Sequence, residues 1–280
     1  MKPKRESRYI RVARLAHELA KAVVPRYSHV NSPQWYTQPQ LVACVILKAY
    51  LGLSYRDTEE WLLAADGVCQ VLGLDAVPDH STLSRVVKRL GVKLARQMNR
   101  LLLRQLSVEE AAIALDGTGF SVTQASSYYL TRKGDWRLEY VKGLIGVGTH
   151  SQLILDWLYA PGRGNEMAYV NRLRRGVQGY GRRVKRRPRW DLLADKGFDG
   201  EQARPTDLIP PRHPIIRPDR VQRAHGVERA RAQRLLGQRW KCETVFSVIK
   251  RLSGASLTSR SPLRQRREMG FKFLAYNLHR

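Results

Sequence analysis

From residue 8 the apolar positions Ile10, Ala13, Ala16, Leu19, Ala20 and Val23 recur at helical spacing until Pro25 ends the pattern. An amphipathic helix is expected over 8–24. A polar loop containing Pro33 follows, and 39–51 reads as a second helix that is apolar on most sides, with Leu41, Val45 and Lys48 separating its faces poorly. The stretch 54–65 opens on a capping Ser54 three residues before Asp57 and carries its acids early, as the helix dipole favours. After the turn GLDAVPD, 79–90 reads as a helix with Leu83, Val86, Val87 and Leu90 inward and Ser84, Arg85, Lys88 and Arg89 outward. Two helices, a turn and a basic helix resemble a helix-turn-helix reader of DNA, with Arg85, Lys88 and Arg89 as its contacts. A helical bundle with a basic solvated face fits the same pattern.

Near Glu109 the pattern changes. The runs 111–115, 138–148, 152–160 and 190–194 are apolar or rich in β-branched and aromatic residues and read as strands. A helix is expected over 165–177, with Met167, Val170 and Leu173 on one side. The longest helical pattern covers 226–252, and a last apolar helix covers 269–278. Helices first and alternating strands and helices afterwards imply an α/β protein with a helical, helix-turn-helix-like domain over 1–106 and an α/β domain over 107–280.

Charge changes the picture most. The 50 Lys and Arg against 24 Asp and Glu leave a net charge of +26 over 280 residues, an excess that attracts a polyanion, nucleic acid foremost. Six of the eight residues in RRVKRRPR, 182–189, are basic; they fit a solvated mobile loop or a phosphate-contacting arm equally well. The apolar stretch 41–53 is interrupted by Lys48 and too short to span a bilayer, and the basic N-terminus lacks the apolar run of a secretory signal. Cys44, Cys69 and Cys242 are odd in number and without CxxC spacing, so neither a disulfide framework nor a zinc site is expected; each reads as a core residue of an intracellular protein. His80, His213 and His225 are too dispersed for a triad, and neither Ser121 nor Ser247 has a base in its motif.

Two apolar runs that each end in an aspartate stand out, ALDGTG at Asp116 and LLADKGFDG at Asp195. In α/β sheets functional groups collect at the carboxyl ends of strands. In RWKCETVFSVIKR, Arg239, Glu243 and Lys250 are spaced by four and seven residues, which brings all three to one helical face. Asp199 lies close to Asp195 and reads as a cap for the following helix.

These three motifs, in this order, resemble the DDE transposases of prokaryotic insertion sequences over about the whole chain. Asp116-Gly117-Thr118 matches the first-aspartate turn, Asp195 to Asp199 the A-D-K-G-Y/F-D phrase, and Arg239, Glu243 and Lys250 the Y-x2-R-x3-E-x6-K signature. Leu236 stands where the signature has Tyr, which removes whatever contact that ring makes. The resemblance implies a ribonuclease-H-like mixed sheet with flanking helices. It also implies two Mg²⁺ or Mn²⁺ ions held by Asp116, Asp195 and Glu243, clamping the attacking and leaving oxygens from positions about 3.5–4 Å apart. Arg239 and Lys250 match the family's phosphate-binding positions. The implied partners are double-stranded DNA, as terminal inverted repeats and target, and a second copy paired on that DNA; the implied location is the cytoplasm, at the nucleoid. Cleavage without strand transfer, and a domesticated protein that only binds DNA, are the alternative activities.

Overall fold

A computed structural model of the chain describes residues 6–31, 33–122, 132, 140–162, 164–211 and 218–280. The chain divides into two compact units, one formed by Met1–Gln105 with Ile249–Arg280 and the other by Leu106–Val248.

The first unit is helical. Helix α1 (Arg8–Val23) buries Val12, Ala13, Ala16, Leu19 and Ala20 against α2 (Gln38–Leu51). Thr37 and Gln40 close a capping box on α2, Gly52 ends it at φ 68°, and ten consecutive side chains from Leu41 to Tyr50 are buried. Ser54 and Asp57 cap α3 (Tyr55–Leu63) reciprocally, as their spacing predicts. The short α4 (Asp66–Leu72) precedes α5 (His80–Arg89), whose N-cap is Asp79 and whose buried residues are Leu83, Val86 and Val87. Glu59 of α3 accepts from the His80 backbone N–H at 2.9 Å and lies 2.8 Å from its Nδ1, tying α3 to the start of α5.

Helix α6 (Leu94–Gln105) closes this part of the chain. The final helix, here numbered α10 (Pro262–His279), packs on α2, α6 and α1, with Asn277 Nδ2 donating to Asn99 Oδ1 at 2.6 Å. Lys272 is buried and donates to the carbonyls of Ser253, Gly254 (3.2 Å) and Ser256 (2.8 Å), so a cation closes the end of the preceding helix where the dipole favours one. The closing helix thus clusters with the N-terminal helices, whereas its position in the sequence groups it with the strands.

The second unit holds a four-stranded sheet whose strands lie in the order Ile154–Pro161, Tyr140–Gly148, Ala112–Ser121 and Asp191–Leu193. Strands β1 (Ala112–Ser121), β2 (Tyr140–Gly148) and β3 (Ile154–Pro161) are antiparallel, and β6 (Asp191–Leu193) runs parallel to β1. A parallel bridge from Leu193 to Leu208 extends the sheet beyond β6. A 3-10 turn (Glu166–Tyr169) leads into α7 (Val170–Val177), where Val170 and Leu173 pack with Leu115, Leu144, Leu158 and Phe198 in one core. Three antiparallel strands, a helix and a parallel strand beside β1 make this the expected mixed sheet with flanking helices.

Four expectations are corrected. First, β1 does not end at Asp116 but continues to Ser121, because antiparallel pairing with β2 persists after parallel pairing with β6 stops at Ala114. Second, of the two readings of the basic stretch the irregular loop is replaced by a tight hairpin of β4 (Arg183–Val184) and β5 (Arg187–Pro188), turned by Lys185 (φ 48°) and Arg186 (φ 67°). Third, the long helical pattern splits into α8 (Pro218–Ala232), a 3-10 turn (Leu236–Arg239) and α9 (Trp240–Ser253). Arg234 adopts φ 55°, its N–H donates to Arg231 O and that of Leu235 to Ala230 O, a Schellman ending without its usual glycine. Fourth, Asp199 caps no helix; it is buried in an ion pair with Arg223 of α8. Residues 138–139, 212–217 and His213 fall outside the described residues. Among the described residues no helix is long and apolar enough to cross a membrane.

Candidate active site

Side chains alternate along β1, so Leu115 enters the core beside α7 while Asp116 points to the other face. There it meets Arg239, from the 3-10 turn that leads into α9 and packs on β1. Asp116 Oδ1 accepts from the Gly117 N–H at 2.8 Å. A Cβ on Gly117 would stand 2.5 Å from Leu144 Cδ2 and 3.1 Å from Glu166 Oε1, so the glycine after the aspartate is a packing requirement.

Asp195 follows β6, the strand next to β1, two residues beyond its end. It caps the 3-10 turn Lys196–Phe198, with Oδ1 accepting from Gly197 N–H at 2.8 Å. A Cβ on Gly197 would lie 2.8 Å from that same oxygen. Each aspartate is thus oriented by the glycine that follows it in its motif.

The sheet brings Asp116 and Asp195 into electrostatic contact. Burial, the largest cause, pushes the Asp116 carboxyl up to about 6, and the charges of Asp195 and Glu166 push the same way; the Gly117 hydrogen bond and the Arg239 charge oppose them. Glu243 lies in the first turn of α9, exposed, with Oε1 2.7 Å from Arg239 Nη2, while Arg239 Nη1 is 3.7 Å from Asp116 Oδ2. One guanidinium therefore spans Asp116 and Glu243. Cys242 is buried close enough to feel the charges of all three, and burial holds its thiol well above the usual range. Burial likewise pushes Cys44 up to about 12, as expected of inert core thiols.

Glu166 and Lys142 belong to this neighbourhood and were not singled out from the sequence. Lys142 Nζ lies 3.1 Å from Glu166 Oε1 and donates to Gly164 O at 3.2 Å. Neither residue sits in a recognisable motif: the signal was a lysine inside an otherwise apolar strand and an acid after a capping Asn165.

An oxygen-rich cluster of Asp116 and Asp195, with Glu243 reached through a bound guanidinium, has the chemistry of a hard-cation site. The positive charge of Arg239 stands where such a cation would be attracted. Among the described residues no group of three His, Cys, Asp or Glu side chains is already arranged around a common point. Of the remaining residues, Arg85, Lys88 and Arg89 are exposed on α5, and Lys250 is half-buried toward the end of α9.

Asp116, on β1, and Asp195, just past β6, are thus carried by adjacent strands of one mixed sheet. The family described as transposase DDE domain matches residues 109–278, and the chain belongs to that family. Among solved structures the chain is similar to a piggyBac transposase, seen by cryo-EM in a synaptic complex with hairpin DNA; identity is 10%, coverage 95% of this chain and 70% of that chain, and the TM-score 0.42. No curated protein matches the chain.

Proposed function

We propose that the protein cuts DNA at the ends of an insertion sequence and joins the freed 3′ ends to target DNA, with Asp116, Asp195 and Glu243 holding two Mg²⁺ or Mn²⁺ ions. The observation that carries this is the placement of Asp116 on β1 and of Asp195 two residues past the adjacent parallel β6, near enough for its charge to act on Asp116, while Arg239 links Asp116 to Glu243. When bound, such ions supply Lewis-acid stabilisation of the attacking and leaving oxygens of a phosphodiester.

The residues divide the remaining work. Asp116 and Asp195, fixed by their glycine N–H groups, set the position of the acidic centre. Glu243 is exposed on a helix and joins them once Arg239 is drawn away. An incoming phosphodiester competes with the two carboxylates for the Arg239 guanidinium, which suits a planar fork that binds either anion. Lys250 on the same helix would hold a further phosphate. In the helical unit Arg85, Lys88 and Arg89 bind the element's ends, and the net charge of +26 draws DNA from a distance. Pairing two ends calls for a homodimer assembled on DNA.

The test uses pre-cut end fragments with a free 3′-hydroxyl, incubated with supercoiled plasmid and Mn²⁺. Covalent joining of the fragment to the plasmid is expected. Nicking of the plasmid, or cutting of uncut end duplexes run beside it, without any joined product would leave a nuclease and remove the strand-transfer activity.

A further inference from the structure

The helical unit contains a groove of about 690 Å³ that the acidic site does not use. One wall is α5, through Arg85, Lys88 and Arg89; the other is the segment before α2, through Tyr27, Trp35 and Tyr36. Trp35 is 82% exposed, an uncommon state for so large an aromatic side chain and one that a stacking partner would relieve.

The aromatic wall is anchored at several points. Tyr36 donates its hydroxyl to Val77 O at 3.1 Å, and the Gln38 N–H donates to Arg26 O at 2.8 Å. The Arg26 guanidinium lies 5.4 Å from the Tyr27 ring centroid, which adds a cation beside that ring. Asp79 is the acid in the groove, and it is committed to the start of α5: its oxygens accept from Ser81 N (2.8 Å), Thr82 N (3.0 Å) and Thr82 Oγ1 (2.7 Å). Those hydrogen bonds hold its carboxyl well below the usual carboxylate range, so its charge is spent on the helix N-terminus.

Three rings facing three cations suit one ligand chemistry. A duplex hides the faces of its bases in the stack and offers only their edges, which indole and phenol rings read poorly. An unpaired nucleotide offers a base face to an aromatic ring and a phosphate to a cation at once. We infer that this groove binds an unpaired nucleotide of single-stranded DNA, its base stacked on Trp35 beside Tyr27 and Tyr36, and its flanking phosphates paired with Arg85, Lys88 and Arg89. The inference rests on the assignment of α5 to DNA and makes that assignment more specific: the basic helix serves a strand opened from its duplex as well as the duplex itself.

The test measures binding of the full-length protein, in EDTA at fixed salt, to a fluorescein-labelled oligo(dT) 12-mer and to an end-sequence duplex. Because Trp35 is exposed, Trp35→Ala should fold normally, which circular dichroism checks. It should weaken the 12-mer by roughly 5- to 150-fold, the effect of losing one stacked base, and the duplex by less than about twofold. Oligo(dT) should also quench more tryptophan fluorescence in the parent than in Trp35→Phe. Equal affinity of parent and Trp35→Ala for the 12-mer, with duplex binding intact, overturns the groove inference alone. Failure of the parent to bind either DNA overturns the assignment of α5 as well. A Trp35→Ala change in sedimentation with no change in DNA binding would make the groove a protein contact and also overturn it.

Discussion

Asp116 should be a site where function is held against stability, and Asp116→Asn exposes the conflict. The folded carboxyl titrates near 6 instead of its ordinary 3.8. Below 3.8 the group is neutral in both states and costs nothing. Above 6 the folded protein must carry a charge that burial and neighbouring carboxylates oppose, so stability falls as pH rises through the window between these values and the cost stays in full at neutral pH. A shift of about two units corresponds to about 3 kcal/mol. Asparagine titrates nowhere and still accepts from Gly117; the shift already nets the Arg239 attraction against burial, so an amide that stands in imperfectly for the neutral carboxyl should gain about 1–3 kcal/mol. At roughly 2–4 °C per kcal/mol, Asp116→Asn should melt about 2–12 °C above the parent at pH 7.5 in EDTA. The difference should shrink toward zero near pH 4. Adding Mg²⁺ should raise the parent and leave the variant unmoved, because only the parent gains a bound ligand. A variant no more stable than the parent at pH 7.5, or an advantage independent of pH, would refute the reasoning.

Three further outcomes are expected. Glu110 is fully buried and accepts from the backbone N–H groups of His150 (2.9 Å) and Ser151 (3.0 Å); Glu110→Ala orphans both and should cost about 3 kcal/mol or more in urea unfolding. Lys272→Met removes the ammonium that closes three carbonyls and should cost about 2–5 kcal/mol by the same measure, whereas Lys272→Arg should recover part of it. Lys250→Ala should lower the slope of log K against log salt for end duplexes by about 0.9, one phosphate contact, with base preference unchanged; an identical slope removes Lys250 from the DNA contacts.

Much of this was legible where local chemistry decides. Ser54 with Asp57 and Asp79 ahead of α5 cap their helices because a short polar side chain reaches the first free N–H groups whatever the surroundings. The motifs put Asp116 on β1 and Asp195 two residues past the adjacent β6, and each is followed by a glycine that local contacts demand, with Leu144 and Glu166 at Gly117 and with the Asp195 carboxylate at Gly197. Illegible features depend on partners distant in sequence. Asp199 looked like a cap because nothing near it announces Arg223, 24 residues away. The break at Arg234 was hidden because a non-glycine residue took the left-handed position. Glu166 reaches the acidic centre through the packing of a 3-10 turn on β1, which no periodicity records. The hairpin in the basic stretch was equally hidden, since Lys185 and Arg186 carry no turn signature.

The most direct test of the catalytic assignment is Mn²⁺-dependent cleavage of a labelled end duplex by the parent and by Asp116→Asn, Asp195→Asn, Glu243→Gln and Glu166→Gln, with duplex binding measured on the same preparations. The account predicts that the first three variants bind the duplex as well as the parent or better and do not cut it, while Glu166→Gln still cuts. Cleavage retained by Glu243→Gln and lost in Glu166→Gln would contradict it and put the third carboxylate on the turn before α7.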